Sequence, residues 1–426
     1  MVPNYAFYPH SRAATNSTSS TSTATACIPE RLLRNNKRPL ESAASPLSLP
    51  LSEKKPVVPR AAATTVSAAM KADESTPLLS PNDELSKGPP AAGFARALST
   101  GSSRHAKPSR LPQAIAHRGY KVAFPENTMA AFRSAVEIGA HAIESDLHLS
   151  KEGVVVLSHD PTLKRCFGID AKVADYDWDY LSTLRTLRKP NLPMPRLIDL
   201  LEYLAQPQQE HVWLLLDVKR DDDASELLTR LAETIASVPA RIPWNTRIIL
   251  GCWNANYVRL SKKLLPEFPL AFIGWSLAYA TALSHVPNMN FNLLLHSLTG
   301  PFGARFLRHA RKINRLVFGW TVNEERWMEW SIQHELDGVI TDDPKLFLEV
   351  CDRWRKDPDG AAAAMGSKTT LPCRVRQFAE AVVMFIILNT LIITLRTVSA
   401  FKRGSPTTQV RRGLAGQDQG FQGPVY

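Results

Sequence analysis

Residues 113–160 read QAIAHRGYKVAFPENTMAAFRSAVEIGAHAIESDLHLSKEGVVVLSHD. A short apolar run, Ala114–Ala116, ends in His117-Arg118-Gly119. Pro125-Glu126-Asn127-Thr128 then opens an amphipathic stretch over Thr128–Ile138. Two more apolar runs follow, Ala142–Leu147 and Val154–Leu157, with only Ser150-Lys151-Glu152-Gly153 between them. The pattern is strand, helix, strand, and a further strand too close to its predecessor for a helical crossover.

Working outward, strand-like runs recur at Val212–Leu216, Arg247–Gly251, Ala271–Ile273, Leu293–Leu295, Leu316–Thr321 and Val339–Thr341. Between them lie helical patterns at Leu197–Leu204, Ala224–Ala236, Asn256–Leu265, Ala304–Lys312 and Glu324–His334. Such alternation across 113–351 predicts an α/β fold, a (β/α)8 TIM barrel with a parallel sheet. The strand candidates exceed the eight places of such a barrel by one. The short gap at 150–153 makes the second and third a hairpin, with the turn at Lys151–Glu152 setting Glu144 opposite His159.

Charge is distributed unevenly along the 426 residues, whose total is +11. Residues 1–112 carry +7, 113–365 carry −2 and 366–426 carry +6. A near-neutral core between basic tails argues against nucleic-acid binding and suits an anionic membrane surface. Five scattered cysteines without a C-x-x-C pair exclude a disulfide scaffold or zinc ribbon.

Residues 1–112 are rich in Ser, Thr, Pro and Ala and are expected to be a disordered basic extension. The barrel is expected over 113–351, followed by a linker over 352–378 with an Ala/Gly hinge at 360–366. The run AEAVVMFIILNTLIITL, Ala379–Leu395, lies between Arg374 and Arg376 on one side and Arg396, Lys402 and Arg403 on the other. It is expected to be a C-terminal membrane anchor over 379–401, ahead of a basic tail over 402–426.

The chemistry concentrates at strand ends. His117-Arg118-Gly119 closes the first strand, and Glu144-Ser145-Asp146 puts two carboxylates on one face of the second. His159-Asp160 follows the third, and Asp217-Val218-Lys219 follows Val212–Leu216. Barrel enzymes build their sites at this end of the strands. Glu144, Asp146 and Asp217 offer hard oxygen ligands to one divalent cation, Mg²⁺ or Ca²⁺. Arg118 and Lys219 offer positive charge to phosphoryl oxygens, and His117 and His159 can exchange protons near neutral pH. Cleavage of an anionic diester is the reaction this set suits.

The motifs HRG, PENT, ESDLHLSKEG and LSHD, with Leu216–Lys219, Gly319–Asn323 and Asp337–Pro344, resemble the signature of glycerophosphodiester phosphodiesterases. Within that family the hydrophobic C-terminal segment is similar to that of the fungal phosphatidylglycerol phospholipase C branch. The resemblance implies that His117 and His159 form the acid/base pair and that Glu144 and Asp146 bind the cation. It places Asp217 where the family usually has Glu. It implies that Arg118 and Lys219 hold phosphate, that Glu126 and Asn127 brace the site, and that Trp320 packs near glycerol. A glycerophospholipid, phosphatidylglycerol first, is the implied substrate, cleaved to diacylglycerol and glycerol phosphate. Soluble glycerophosphodiesters are the alternative, and a catalytically silent lipid-sensing barrel at a membrane is the alternative of another class. The expected location is a membrane of the endoplasmic reticulum, a lipid droplet or a mitochondrion.

Overall fold

The core strands are short and buried along their length, mostly apolar with polar residues on those that carry Glu144, Asp217 and Asn292, the burial of strands covered by the barrel interior on one side and helices on the other. The computed structural model describes residues 92–99, 110–361 and 404–417. In chain order the strands are β1 Leu98–Ser99, β2 Arg110–Leu111, β3 Gln113–His117, β4 Ala142–Leu149, β5 Val155–Leu157 and β6 Trp213–Val218. β7 Ile248–Cys252, β8 Leu270–Gly274, β9 Met289–Leu294, β10 Val317–Trp320 and β11 Gly338–Thr341 complete them. The helices are α1 Met129–Glu137, α2 Lys164–Phe167, α3 Trp178–Leu181, α4 Leu197–Leu204, α5 Ala224–Ser237 and α6 Ala255–Leu264. They continue with α7 Leu277–Leu283, α8 Leu295–Leu298, α9 Gly300–Lys312, α10 Glu325–Gln333, α11 Pro344–Lys356 and α12 Pro406–Leu414.

Eight parallel strands run in the order β3-β11-β10-β9-β8-β7-β6-β4, and pairing of β3 with β4 closes the ring. The predicted TIM barrel is therefore the observed fold. β5 is the surplus strand, antiparallel to β4 and outside the ring. Its register differs by one residue from expectation. Leu147 faces Leu157 and the Ser158 amide donates to the Asp146 carbonyl, so Asp146, not Glu144, lies opposite the segment leading into His159. The cause is the turn: Ser150 receives the amides of both Gly153 and Val154, and Gly153 has φ of +87°. Such a turn holds one more residue than a tight hairpin.

Order also begins before Gln113. Gly93–Ala95 forms one helical turn, and β1 pairs with β2. Ala92 and Ala95 are buried with Ile115, Trp213, Leu215, Leu316 and Phe318 on the barrel axis, and Phe94 meets Trp213 edge-on at 5.7 Å. This segment caps the N-terminal end of the barrel. At the other end of the chain, α12 packs on α6 and α7, burying Val410 and Leu414, with Gly413 against Ala255. Residues 404–417 thus return to the barrel wall. Among the described residues no helix is long and apolar enough to cross a membrane. The expected anchor, 379–401, and the extension over 1–91 lie outside the described residues.

The turn after β3 is the tightest point of the fold. Arg118 has φ of +58° and Gly119 +84°, and a Cβ on Gly119 would come within 2.7 Å of the Ala131 backbone in α1. Left-handed backbone and close helix approach together demand glycine here. Gly119→Ala is therefore expected to destabilise the protein by about 1–3 kcal/mol and to reduce turnover through displacement of Arg118. Chemical denaturation and steady-state kinetics on the same preparation check both effects.

Candidate active site

The HRG turn aims the Arg118 amide at Glu144 and its guanidinium at Glu126 and Asp146. The Arg118 amide donates to the Glu144 carbonyl at 2.9 Å and to Glu144 Oε2 at 3.0 Å. The PENT segment is the opposite wall. Thr128 caps α1 by accepting the Ala131 amide, as an N-cap threonine does. Asn127, held at φ of +51°, donates to Asp146 Oδ2 at 2.8 Å while accepting from Ser145. Glu126 binds Arg118 Nη1 at 2.8 Å and also Arg165.

Strand register assembles the carboxylates. Asp146 of β4 lies beside Asp217 of β6, and Glu144 sits two residues below on the same face. All three are buried, and one oxygen from each lies within 4.8 Å of the others. Lys219 Nζ stands between two of them, 2.7 Å from Asp146 Oδ1 and 2.6 Å from Asp217 Oδ2. Arg118 Nε is 3.3 Å from Asp146. Trp253, at the end of β7, donates its indole N–H to Asp217 Oδ1 at 2.6 Å and places its ring 5.9 Å from the Lys219 ammonium. Asp217, despite its shorter arm, reaches the cluster.

The electrostatics show what the cluster lacks. Three carboxylates face two buried cations. Burial, followed by the charge of Asp146, pushes the Glu144 carboxyl well above its ordinary range. Asp146 goes the other way: burial alone would raise it, but Lys219 and Arg118 hold it well below. Burial opposes the charge on Lys219 too, yet Asp146 and Asp217 raise its pKa further. One more positive charge would let Glu144 ionise beside its neighbours. A divalent cation on three hard carboxylates fits that need, and Glu144, Asp146 and Asp217 are the residues that would hold it. Such an ion supplies Lewis-acid polarisation of a phosphoryl oxygen.

Both histidines are oriented by aspartates. His117 Nδ1 is 2.5 Å from Asp342 Oδ1, and Asp342 is held in turn by Lys121 and Asn323. His159 Nδ1 is 2.7 Å from Asp160 Oδ1, and Arg165 ties Asp160 to Glu126. An ionised carboxylate only accepts, so each Nδ1 carries the proton and each Nε2 is left for chemistry. Burial and the neighbouring Arg118 lower His117 to about 4, with Asp342 opposing. His117 is therefore neutral at pH 7, the state a general base needs.

His117, Arg118, Glu144, Asp146, His159, Asp217, Lys219 and Trp320 all line one pocket of about 70 Å³, with Trp253, Ile273, Asn292 and Ile340. Glu126 and Asn127 stand behind it. Sequence reasoning missed Asp342, Trp253 and Asn292 as site residues. Asn292 is the most informative. It is 4% exposed, and its amide oxygen has no hydrogen-bond partner, although its carbonyl takes the Trp320 indole N–H at 3.1 Å. Its signal in the sequence was the Asn290/Asn292 alternation inside an otherwise apolar strand.

A family model for the glycerophosphoryl diester phosphodiesterase family matches residues 117–346. The chain belongs to this family. A glycerophosphodiester phosphodiesterase from Caldanaerobacter subterraneus subsp. tengcongensis is 26% identical over 248 residues, 55% of this chain and 96% of that protein. A lysophospholipase D from Homo sapiens is 46% identical over 65 residues, 15% of this chain and 21% of that protein. The structure of an Oleispira antarctica phosphodiesterase in complex with the product sn-glycerol-3-phosphate covers 57% of this chain and 97% of that one, at 22% identity and a TM-score of 0.50. At that identity the likeness is one of fold. The family's enzymes are phosphoric diester hydrolases that depend on a divalent metal, and this chain is one of them.

Two outcomes test the assembly. Asp342→Asn keeps the size of the side chain but no longer fixes the His117 tautomer. It is expected to lower kcat by about 10²–10⁴ with an unchanged circular dichroism spectrum. Excess EDTA is expected to abolish turnover, and Glu144→Gln to lower it by orders of magnitude. Restoration by added Mg²⁺ or Ca²⁺ in a chelator titration identifies the ion.

Proposed function

We propose that the enzyme cleaves a glycerophospholipid, with the glycerol-phosphate unit in the pocket and the acyl portion outside it. The observation that carries the glycerol-phosphate placement, common to lipid and soluble diesters, is the orphaned amide oxygen of Asn292 on the pocket wall. A buried acceptor without a partner is costly until a donor arrives, and a glycerol hydroxyl is such a donor. Trp320 and Trp253, edge to face at 6.1 Å, supply apolar surface for the carbon backbone of the glycerol. Arg118 and Lys219, already beside the carboxylates, are the cations nearest an incoming phosphate.

In this scheme His117 takes the proton of the attacking oxygen, which is water or the head-group hydroxyl beside the phosphorus. The new P–O bond forms as the P–O bond to the leaving alcohol breaks; attack by the hydroxyl gives a cyclic phosphate, which water then opens to glycerol phosphate. His159, the more exposed of the two at 35%, enters the step protonated on Nε2 as well as Nδ1 and gives the Nε2 proton to the leaving alcohol's oxygen. Phosphatidylglycerol fits as substrate, because its head group is a glycerol phosphate and the leaving alcohol is diacylglycerol. Similarity to the fungal phosphatidylglycerol phospholipase C branch belongs to the same proposal. The small pocket equally favours a second reading, hydrolysis of soluble glycerophosphodiesters.

Location belongs to the proposal as well. The apolar segment 379–401 and its basic flanks suit a membrane. The described residues stop at Ala361 and resume at Gly404, where α12 packs on the barrel wall. A single crossing would separate α12 from the helices it packs on, so attachment along one face of the bilayer is the arrangement we favour, at the endoplasmic reticulum, a lipid droplet or a mitochondrion.

One hydrolysis panel tests these readings. Wild-type protein is expected to release glycerol phosphate from phosphatidylglycerol faster than alcohol from a soluble glycerophosphodiester. Asn292→Leu is expected to lose about tenfold or more in kcat/KM on both. A preference for the soluble ester would favour the second reading, and unaltered kinetics of Asn292→Leu would remove Asn292 from substrate binding. Carbonate extraction of the same preparation reads the membrane attachment.

A further inference from the structure

A pocket of about 70 Å³ is far below the ~300–1,000 Å³ usual for sites that enclose a whole small ligand. A lipid substrate must therefore leave most of itself outside, and the surface around the mouth shows where. Five large apolar side chains are exposed among the described residues, and four lie on the face to which the C-terminal ends of the strands lead. Val122, 54% exposed, is in the loop after β3, and Leu187, 61%, is in the excursion between β5 and α4. Tyr180, 40%, is in that same excursion, and Phe302, 65%, is in the first turn of α9 after β9.

Val122 and Leu187 stand on loops latched together. Arg188 donates to the carbonyls of Lys121, Val122 and Phe124. The loop around Leu187 closes on itself through Thr186, whose amide donates to the Leu192 carbonyl and whose hydroxyl receives the Leu192 amide. The Val122 amide donates to the carbonyl of Asp342, the residue that orients His117. The apolar rim is thus held rigidly to the catalytic machinery.

The same surface is cationic. From Tyr180 to Ile198 the sequence carries Arg185, Arg188, Lys189 and Arg196 and no acid, in a core whose charge is −2, and Arg196 is paired with Asp199 just beyond, which leaves the first three. Arg185 and Arg188 give their hydrogen bonds to carbonyl oxygens and so keep their charge unneutralised. Beside them runs an open groove of about 410 Å³ along α1, lined mostly by apolar groups of Phe124, Met129, Ala130, Leu192 and Pro193. Its lining includes Phe124, two residues before Glu126, whose carboxylate binds Arg118.

We propose that this rim docks on an anionic lipid surface and that the groove along α1 takes one acyl chain of the lipid whose head group is in the pocket. The proposal rests on the lipid reading given above and adds the surface that makes it work. Apolar tips at 122 and 187 enter the acyl boundary while the cations at 185, 188 and 189 meet lipid phosphates. None of these residues touches the reacting atoms.

The test uses full-length protein, vesicles of one part phosphatidylglycerol to three parts phosphatidylcholine, and a short soluble glycerophosphodiester. Val122→Asp with Leu187→Asp changes exposed positions only. It is expected to cut vesicle turnover about tenfold or more and to leave kcat/KM on the soluble ester unchanged. Turnover rather than pelleting is the readout, because segment 379–401 can hold the protein on vesicles by itself. Ala130→Trp fills the groove and is expected to abolish any preference for long-chain over short-chain lipid in mixed micelles. Unaltered vesicle turnover in the double variant overturns the docking surface, and so does a change in its sedimentation coefficient without a change in turnover, which would make a second copy the occupant. If Ala130→Trp alters thermal stability but not chain-length preference, the groove holds a piece of this chain and the acyl assignment falls. If full-length wild-type protein binds the vesicles but cleaves no lipid in them, the lipid reading falls, and a lower vesicle affinity of the full-length double variant leaves the docking surface standing.

Discussion

Three buried carboxylates set against two buried cations are the constraint on which the rest of the molecule depends. Left alone, Glu144, Asp146 and Asp217 would repel one another across less than 5 Å of low-dielectric interior. Lys219 and Arg118 make the arrangement tolerable, and each is pinned by something else. Lys219 lies over Trp253, and Arg118 is locked by Glu126 and the left-handed turn after β3. The glycine of the HRG turn, the asparagine of PENT and the register of β4 with β6 are all conditions for holding this charge in place. The net deficit of one positive charge is what gives the site its appetite for a dication.

Much of this was legible in the sequence because barrel topology converts strand ends into neighbours. Once the alternation at 113–351 was read as a closed sheet, His117, Glu144, Asp146, His159 and Asp217 had to face a common mouth. What escaped were partners set by tertiary approach alone. Asp342 is 225 residues from His117, and Trp253 is 36 from Asp217. No local pattern announces either contact. Asn292 escaped for a different reason: a single polar residue in a buried strand looks the same in sequence whether it is satisfied or vacant.

The differences in the fold have equally specific origins. The segment 92–99 has the small-residue composition of a linker, and it is ordered only because the barrel floor offers Trp213 and Phe318 to cover. The one-residue offset of the hairpin comes from a turn that closes on the Ser150 hydroxyl as well as its carbonyl. Helix α12 carries only Val410 and Leu414 toward the wall, too few apolar positions to stand out among its arginines.

Among the described residues, the barrel interior beneath the pocket is filled by Ile115, Leu215 and Phe318 and closed over by Ala92–Ala95, so the pocket has a solid floor and opens at its mouth. Reactant and both products must share that opening. For the glycerophospholipid proposed above as substrate, the two products would prefer different phases: an alcohol that carries acyl chains stays in a membrane, while glycerol phosphate belongs in water. The water-soluble product cannot leave through the floor, so the mouth must lift from the surface, or leak at its edge, once in each cycle. An enzyme built this way would hop between catalytic events instead of gliding from one lipid to the next, and its rate on a membrane would be governed by how quickly it lets go.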